Sequence, residues 1–321
     1  MEAIDGEPGV SGGSCMSQTV LDVDSVVKRY HRKTAVDGVS FSVQRGEILG
    51  FLGPNGAGKT TTLRMIMGIT VPDAGRVTFR LEGAGGSQRV PKHRVGYLPE
   101  ERGLYKEARI LDVLLFLASI KGMPKDEARR KALDWLERFG LGAYANAKVE
   151  ELSKGMAQKV QFIAAVIHEP DLVVLDEPFS GLDPVNQEVF REEIRRLKER
   201  GAAVLLSSHQ MNLVEETCDR IFLINNGRRV LYGTLVDVKA QYGVHRVNML
   251  VSDPDWDWRP PDLVEQVNRD GARWTCLLRP GVTPGQFMHS LPAGAPVEEI
   301  SIARISLHDI FVRMATQGEA A

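Results

Sequence analysis

Gly53-Pro54-Asn55-Gly56-Ala57-Gly58-Lys59-Thr60 follows the apolar stretch Ile48 to Leu52 and leads into a helix-like run that begins at Thr61. These residues fit the phosphate-loop pattern G-x-x-x-x-G-K-[ST] at every constrained position, in the strand-to-helix context the pattern requires. The three glycines let successive backbone N–H groups turn toward one centre, and the following helix presents its positive end to the same place. The anion that suits such a nest is a polyphosphate. Lys59 would reach the β- and γ-phosphates, the Thr60 hydroxyl would ligate the Mg²⁺ that accompanies them, and Thr61 would extend the cradle toward the α-phosphate. The stretch from Gly53 through Thr61 is therefore read as a nucleotide site that takes a polyphosphate with its Mg²⁺.

The rest of the composition narrows the class. With 321 residues, 43% of them hydrophobic, the chain can bury one large core and a smaller one. Its 40 Lys and Arg against 42 Asp and Glu leave a net charge of −2, without the basic field that draws in nucleic acid. Cys15, Cys218 and Cys276 are odd in number and widely spaced, which suits neither a disulfide framework nor a zinc cluster and fits a reducing compartment. The longest apolar run, Val113 to Ile120, lies between Asp112 and Lys121 and is too short to cross a bilayer. Residues 1–18 carry Glu2, Asp5 and Glu7 among Gly and Ser, lack the pattern of a signal peptide, and are read as a flexible tail.

Hydrophobic periodicity then organises the chain. Val20 to Val43 reads as short β segments with a turn at Asp37-Gly38, followed by the phosphate loop and a helix to Gly68. Arg76 to Leu81 and Val95 to Leu98 read as strands, separated by a flexible stretch from Gly83 to Ser87. From Ile110 to Val149 the spacing turns helical, with Val113, Leu114, Leu117, Ala132, Leu133, Trp135, Leu136 and Phe139 three to four apart. Beyond it come a strand at Asp171 to Leu175, a helix at Asn186 to Arg200, a strand at Ala202 to Leu206, and a hairpin around Asn225-Asn226-Gly227. Such alternation predicts a parallel sheet covered by helices. Past Tyr242, strands are expected at Val247 to Val251, Trp274 to Leu278 and Val297 to Ile302, and a helix at Leu307 to Met314, punctuated by Pro260-Pro261 and by Pro280 to Pro284.

Which phosphate-loop chemistry this is depends on the acids downstream. Leu172 to Leu175 is an apolar strand that ends in Asp176-Glu177, placing Asp176 where it would hold Mg²⁺ and Glu177 where it would polarise an attacking water. Two acids at a strand end also suit a solvated turn; the phosphate loop upstream favours catalysis. Ser153 in Leu152-Ser153-Lys154-Gly155-Met156 precedes a helical run and would cap it, or, with the Gly155 amide, bind a γ-phosphate. Ser180-Gly181-Leu182-Asp183-Pro184 follows the acids, and Ser207-Ser208-His209 ends the next strand, so that His209 would contact the γ-phosphate and the water.

Together these residues resemble the nucleotide-binding subunit of an ABC transporter, from about Val20 to Tyr242. The resemblance implies an α/β fold: a P-loop NTPase core with an antiparallel β subdomain and a helical insertion, plus a small C-terminal α/β domain. Residues 19–242 would form the ATPase domain, with the insertion at about 104–168, and 243–321 the extension. Gly53 to Thr61 would be the Walker A loop, Asp176 and Glu177 the Walker B pair, Leu152 to Met156 the signature, Ser180 to Pro184 the D-loop with Asp183 at the nucleotide, and His209 the switch histidine. Tyr30 matches the aromatic that stacks on adenine. Glu100, in Gly96-Tyr97-Leu98-Pro99-Glu100, stands where the family has a glutamine near the metal, and Lys154 and Met156 replace a glycine and a glutamine of the signature. These departures, the run Glu100 to Tyr105, and the ending Ser306-Leu307-His308-Asp309-Ile310-Phe311 are similar to a branch of sodium-exporter-like and multidrug-exporter-like ATPases. The resemblance further implies ATP as the nucleotide, a second copy bound head to tail, a multi-span membrane permease as partner, residence at the cytoplasmic face of the membrane, and no nucleic acid. The competing class, a soluble ATPase of the same type acting in translation or DNA repair, typically carries two cassettes or a long coiled coil, and this sequence has neither.

Overall fold

The computed structural model describes residues 18–31, 33–81, 86–101, 103–242, 244–259 and 262–318. Residues 1–17 of the expected tail, Cys15 among them, Gly83 to Gly85 of the Gly83 to Ser87 stretch, and Pro260-Pro261 lie outside them. The chain opens with two long antiparallel strands, β1 (Thr19–Tyr30) and β2 (Lys33–Gln44), then β3 (Ile48–Leu52), α1 (Lys59–Ile66), β4 (Ala74–Phe79) and β5 (Val95–Leu98). Helices α2 (Ile110–Ile120), α3 (Lys125–Arg138) and α4 (Lys154–Val166) follow, then β6 (Leu172–Asp176), α5 (Pro184–Glu199), β7 (Ala203–Ser208), α6 (Met211–Thr217), β8 (Arg220–Asn225), β9 (Arg228–Thr234) and α7 (Leu235–Gln241). The last part holds β10 (His245–Val251), β11 (Val264–Asp270), β12 (Arg273–Leu278), α8 (Pro284–Ser290), β13 (Val297–Arg304) and α9 (Leu307–Gly318).

Three sheets result. The central one has the order β5-β6-β7-β3-β8-β9, parallel except for β9. Its strands β3, β6 and β7 are buried along their whole length, as a parallel sheet covered on both faces demands. Alternate residues serve opposite cores: Val173, Leu175, Val204 and Leu206 face the helices, whereas Leu172, Val174, Ala203 and Leu205 face the second sheet, β2-β1-β4. Phe41 of β2 packs on Phe51 and Phe222, whose rings stack 4.9 Å apart, and this aromatic knot fastens the antiparallel sheet to the central one. The third sheet, β11-β12-β10-β13, has its own core around Trp258, Trp274 and Phe287.

Several expectations need correction. Asp37-Gly38 is not a turn: both residues lie within β2, where the pairing with β1 shifts register between Val39 and Val36, and Gly38 takes φ 67°. The reversal falls instead between Tyr30 and Lys33. Leu133 points outward, unlike Ala132, Trp135, Leu136 and Phe139, which are buried. The apolar run at 113–120 is one amphipathic helix, with Val113, Leu114 and Ala118 inside and Phe116 and Ile120 exposed; no helix of the described residues is long and apolar enough to cross a membrane. Cys218 and Cys276 are free and buried.

A half-buried histidine makes stability sensitive to acid. His168, just past α4, brings Nε2 to 3.3 Å from the Val95 carbonyl oxygen, which also accepts from Lys121 Nζ at 2.8 Å. Burial, with the neighbouring Lys121 charge, pushes the imidazole from 6.5 down to about 4. The ring is then neutral in the fold while the unfolded chain binds a proton below pH 6.5. The contribution is intact above pH 6.5 and is lost as the pH falls toward 4. Denaturant midpoints at pH 7 and pH 5 are expected to lie closer together in His168→Gln than in the parent protein; an unchanged gap would refute the assignment.

Candidate functional site

The loop between β3 and α1 has no room for side chains at two of its glycines. A Cβ on Gly53 would stand 2.3 Å from the Ile224 carbonyl oxygen, and one on Gly58 would stand 2.5 Å from that of Ala35. Gly58 is also left-handed, at φ 111°, and as N-cap of α1 brings no side chain to the orphan amides of the first turn. Those amides lie at the positive end of the helix, which favours an anion. Lys59 is buried, and its Nζ donates to the carbonyl oxygens of Gly53 at 2.8 Å and Pro54 at 3.4 Å. The cleft above the loop has a volume of about 400 Å³ and is walled by Tyr30, Lys33 and Ala35 on one side, by Asn55, Gly56, Gly58, Lys59, Thr60 and Thr61 below, and by Glu100 and Glu177 on the other. Its size is that of a small-ligand site. Tyr30 is 45% exposed at the wall of the cleft and is not packed into the core.

Beneath the cleft, β6 ends at Asp176, which is fully buried. Oδ1 accepts from Ser207 Oγ at 2.5 Å, while Oδ2 is buried with no hydrogen-bond partner. Burial raises this carboxyl above its ordinary value, the Ser207 and Thr60 hydroxyls oppose the shift, and Glu100 and Glu177 add to it. An orphaned carboxylate oxygen beside a hydroxyl is the donor set of a hard cation that takes its other ligands from phosphate and water, so Thr60 and Asp176 fit Mg²⁺. Among the described residues, no cluster of three His, Cys, Asp or Glu offers a metal site made by protein alone.

Glu177 follows in a strained, left-handed conformation, φ 51°, with its amide donating to the Ser207 carbonyl at 3.2 Å. The turn carries the side chain back toward the loop. Oε2 accepts from the His209 ring at Nδ1, 2.9 Å away, and Oε1 lies 3.7 Å from Lys59 Nζ. Glu177 is buried, whereas the His209 side chain is 48% exposed and reaches the cleft through Glu177. A carboxylate held in this way can accept a proton from a water placed over the loop.

Ser153, Gly155 and Asp183 are not brought to this cleft. Ser153 is exposed and caps α4, accepting from the Met156 amide at 3.3 Å. Asp183 caps α5, and the Asn186 amide at 2.9 Å holds its carboxyl below the usual range. Gly155 has no steric need to be glycine within its own chain: a Cβ there would meet Leu182 Cδ2 at 3.7 Å and the Gly181 oxygen at 3.8 Å, ordinary contact. Ser207, Lys33 and Ala35 are site residues that escaped sequence reasoning. Ser207 steers Asp176, and only its place beside His209 hinted at a role; Lys33 lines the cleft from a hairpin end that carries no pattern.

Comparison with known proteins agrees with this geometry. The ABC transporter family model matches residues 36–180, and that of the C-terminal domain of DrrA1-3-like ATP-binding proteins matches 233–315. The chain is 44% identical to the uncharacterized ABC transporter ATP-binding protein YhaQ of Bacillus subtilis (strain 168), over 91% of this chain and 97% of that one. It is 40% identical to Nod factor export ATP-binding protein I of Burkholderia pseudomallei (strain 1710b), over 74% of this chain and 79% of the relative. A solved ATP-binding subunit of an ABC transporter superposes with a TM-score of 0.63 at 34% identity, covering 70% of this chain and 94% of the other. The chain belongs to the ATP-binding subunits of ABC transporters, ATPases that pair with membrane permeases and power transport, and it carries the C-terminal domain of the DrrA1-3-like members.

Proposed function

We propose that two copies of this chain close head to tail on ATP and Mg²⁺, so that the phosphate loop of each faces Ser153 and Gly155 of the other, and that closure drives export through a multi-span permease at the cytoplasmic face of the membrane. The observation that carries the reading is the split site: Ser153 is exposed and away from its own cleft, and Gly155 is a glycine without a steric cause in its own chain. A second copy supplies both with a phosphate. Lys59 and the amides of Gly53 to Thr61, with Pro54, Asn55 and Ala57 shaping the turn, bind the phosphates, and Tyr30 stacks on the base. Thr60 and Asp176, with Glu100 nearby, would hold Mg²⁺, which would offset the negative charge of the phosphates when bound. Glu177 takes the proton of the attacking water, His209 orients Glu177 and contacts the γ-phosphate, and Asp183 borders the junction between the copies.

The helical insertion, about 104–168, is the seat for the permease. In support, Tyr105, Phe116, Ile120 and Tyr144 all lie there with 44% to 62% of their surface exposed. The names of the relatives, Nod factor export and linearmycin resistance, favour outward transport. The test is purification of the tagged Glu177→Gln chain from solubilised native membranes with ATP and Mg²⁺, and mass spectrometry of what co-elutes. A stoichiometric multi-span membrane protein is expected. Ribosomal or DNA-repair proteins with no membrane partner would overturn the reading.

A further inference from the structure

Helix α6 begins two residues after His209 and is only seven residues long. A helix of that length has no stability of its own, so its position is set by what it lies between. On its inner side is β3: the space a Cβ on Gly50 would occupy is filled by Val214 Cγ1 at 2.6 Å and Cys218 Sγ at 2.9 Å, three residues before the phosphate loop. On its outer side is α9. That helix is attached to the C-terminal sheet through the Arg246–Asp309 ion pair at 2.6 Å, yet Ile305, Leu307 and Ile310 are buried in the main core with Leu213 and Val214, not in the tryptophan core of the C-terminal unit.

Among the described residues, Glu215 adds a side-chain hydrogen bond to the apolar packing between the two helices. Glu215 of α6 accepts the Leu307 amide through Oε2 at 3.2 Å, at the positive end of α9, and pairs through Oε1 with Lys239 of α7. Ser306 and Asp309 already cap α9 reciprocally, so the helix start does not depend on Glu215. What Glu215 adds is a connection.

We propose that Glu215 is a positioning residue: by fastening α6 to the first turn of α9 it fixes where His209 stands against Glu177, and through it the C-terminal unit sets the rate of ATP turnover. The inference rests on the roles given to Glu177 and His209 above. It is tested on the full chain with Glu215→Ala, Glu215→Gln, Glu215→Asp and His209→Ala, measuring kcat for ATP hydrolysis, the calorimetric Kd for ATP, and hydrogen exchange at 211–217. Glu215→Ala should lower kcat by about tenfold with Kd within about twofold, because misplacing a reacting group costs rate while the phosphate loop is untouched. Exchange across α6 should rise. Glu215→Gln keeps an oxygen for the Leu307 amide and should restore most of kcat. Should the alanine protein fail to fold, Glu215→Asp withdraws the carboxylate by one methylene without removing its charge, and the same split is expected there.

Wild-type kcat in both Glu215→Ala and Glu215→Asp, beside an inactive His209→Ala, would overturn the inference and leave the site assignment standing. A parallel loss of kcat and affinity that Glu215→Gln does not relieve would mark a purely structural contact and overturn it as well. Wild-type turnover in His209→Ala would remove the site reading itself, and this inference with it.

Discussion

Glu177→Gln is expected to bind ATP at least as tightly as the parent protein, to lose at least about two orders of magnitude in turnover, and to accumulate as an ATP-bound dimer. Glutamine has the shape of glutamate, fills the same buried position behind the loop, and offers the His209 ring an oxygen where Oε2 stands at 2.9 Å. It cannot accept a proton at neutral pH. The carboxylate also lies 3.7 Å from Lys59 Nζ, where it competes with phosphate for the cation, so neutralising it removes a repulsion from the incoming nucleotide. The backbone gives no reason for collapse either, since the φ of 51° at this position is as strained for glutamate as for glutamine. Binding and chemistry should therefore separate cleanly. Multiple-turnover assays with calorimetry and size-exclusion chromatography in ATP and Mg²⁺ measure all three quantities, and full ATPase activity in this variant would strip Glu177 of its role as the base.

The parts of this site that sequence makes legible are those whose constraint is local. The loop from Gly53 to Thr60 is readable because two of its glycines stand against carbonyl oxygens that admit no Cβ, and the strand ending in Asp176-Glu177 is readable because four apolar residues precede two acids. Where a local signal has two physical solutions, reading fails. Asp37-Gly38 supplies the positive φ of a turn, but a bulge inside a paired strand needs the same φ, and only the partners Val26 and Lys28 on β1 decide between them. Helix α8 was visible in principle: Thr283 and Gln286 form a capping box with Pro284 at the first turn, a start signal concealed among prolines that read as punctuation. Strand β11 was not visible, because an edge strand with one buried residue, Val264, has no alternation to find. Nor does sequence spacing alone bring His209 to Glu177 across 32 positions; β6 and β7 do, by lying side by side in register, with Asp176 opposite Ser207.

Lys59→Ala should fail one step earlier. The ammonium group is buried and spans the mouth of the nest, donating to Gly53 at 2.8 Å and Pro54 at 3.4 Å, so it is the one full positive charge held within the loop itself. A hydrogen bond to a charged group contributes about 1.5–3 kcal/mol, which corresponds to an ATP Kd raised by about ten- to a hundredfold, with turnover lost at ordinary nucleotide concentrations. Alanine is a good first-turn residue, and the loop glycines are unaffected, so the fold should survive. The melting temperature without nucleotide checks this, and an unchanged Kd in a folded protein would refute the assignment of Lys59. The two variants also test each other. If Glu177→Gln keeps affinity while Lys59→Ala loses it, the 3.7 Å pair divides into a binding group and a reacting group. If both lose affinity, the two charges act as one electrostatic unit, and the proton acceptor must be sought elsewhere on the cleft wall.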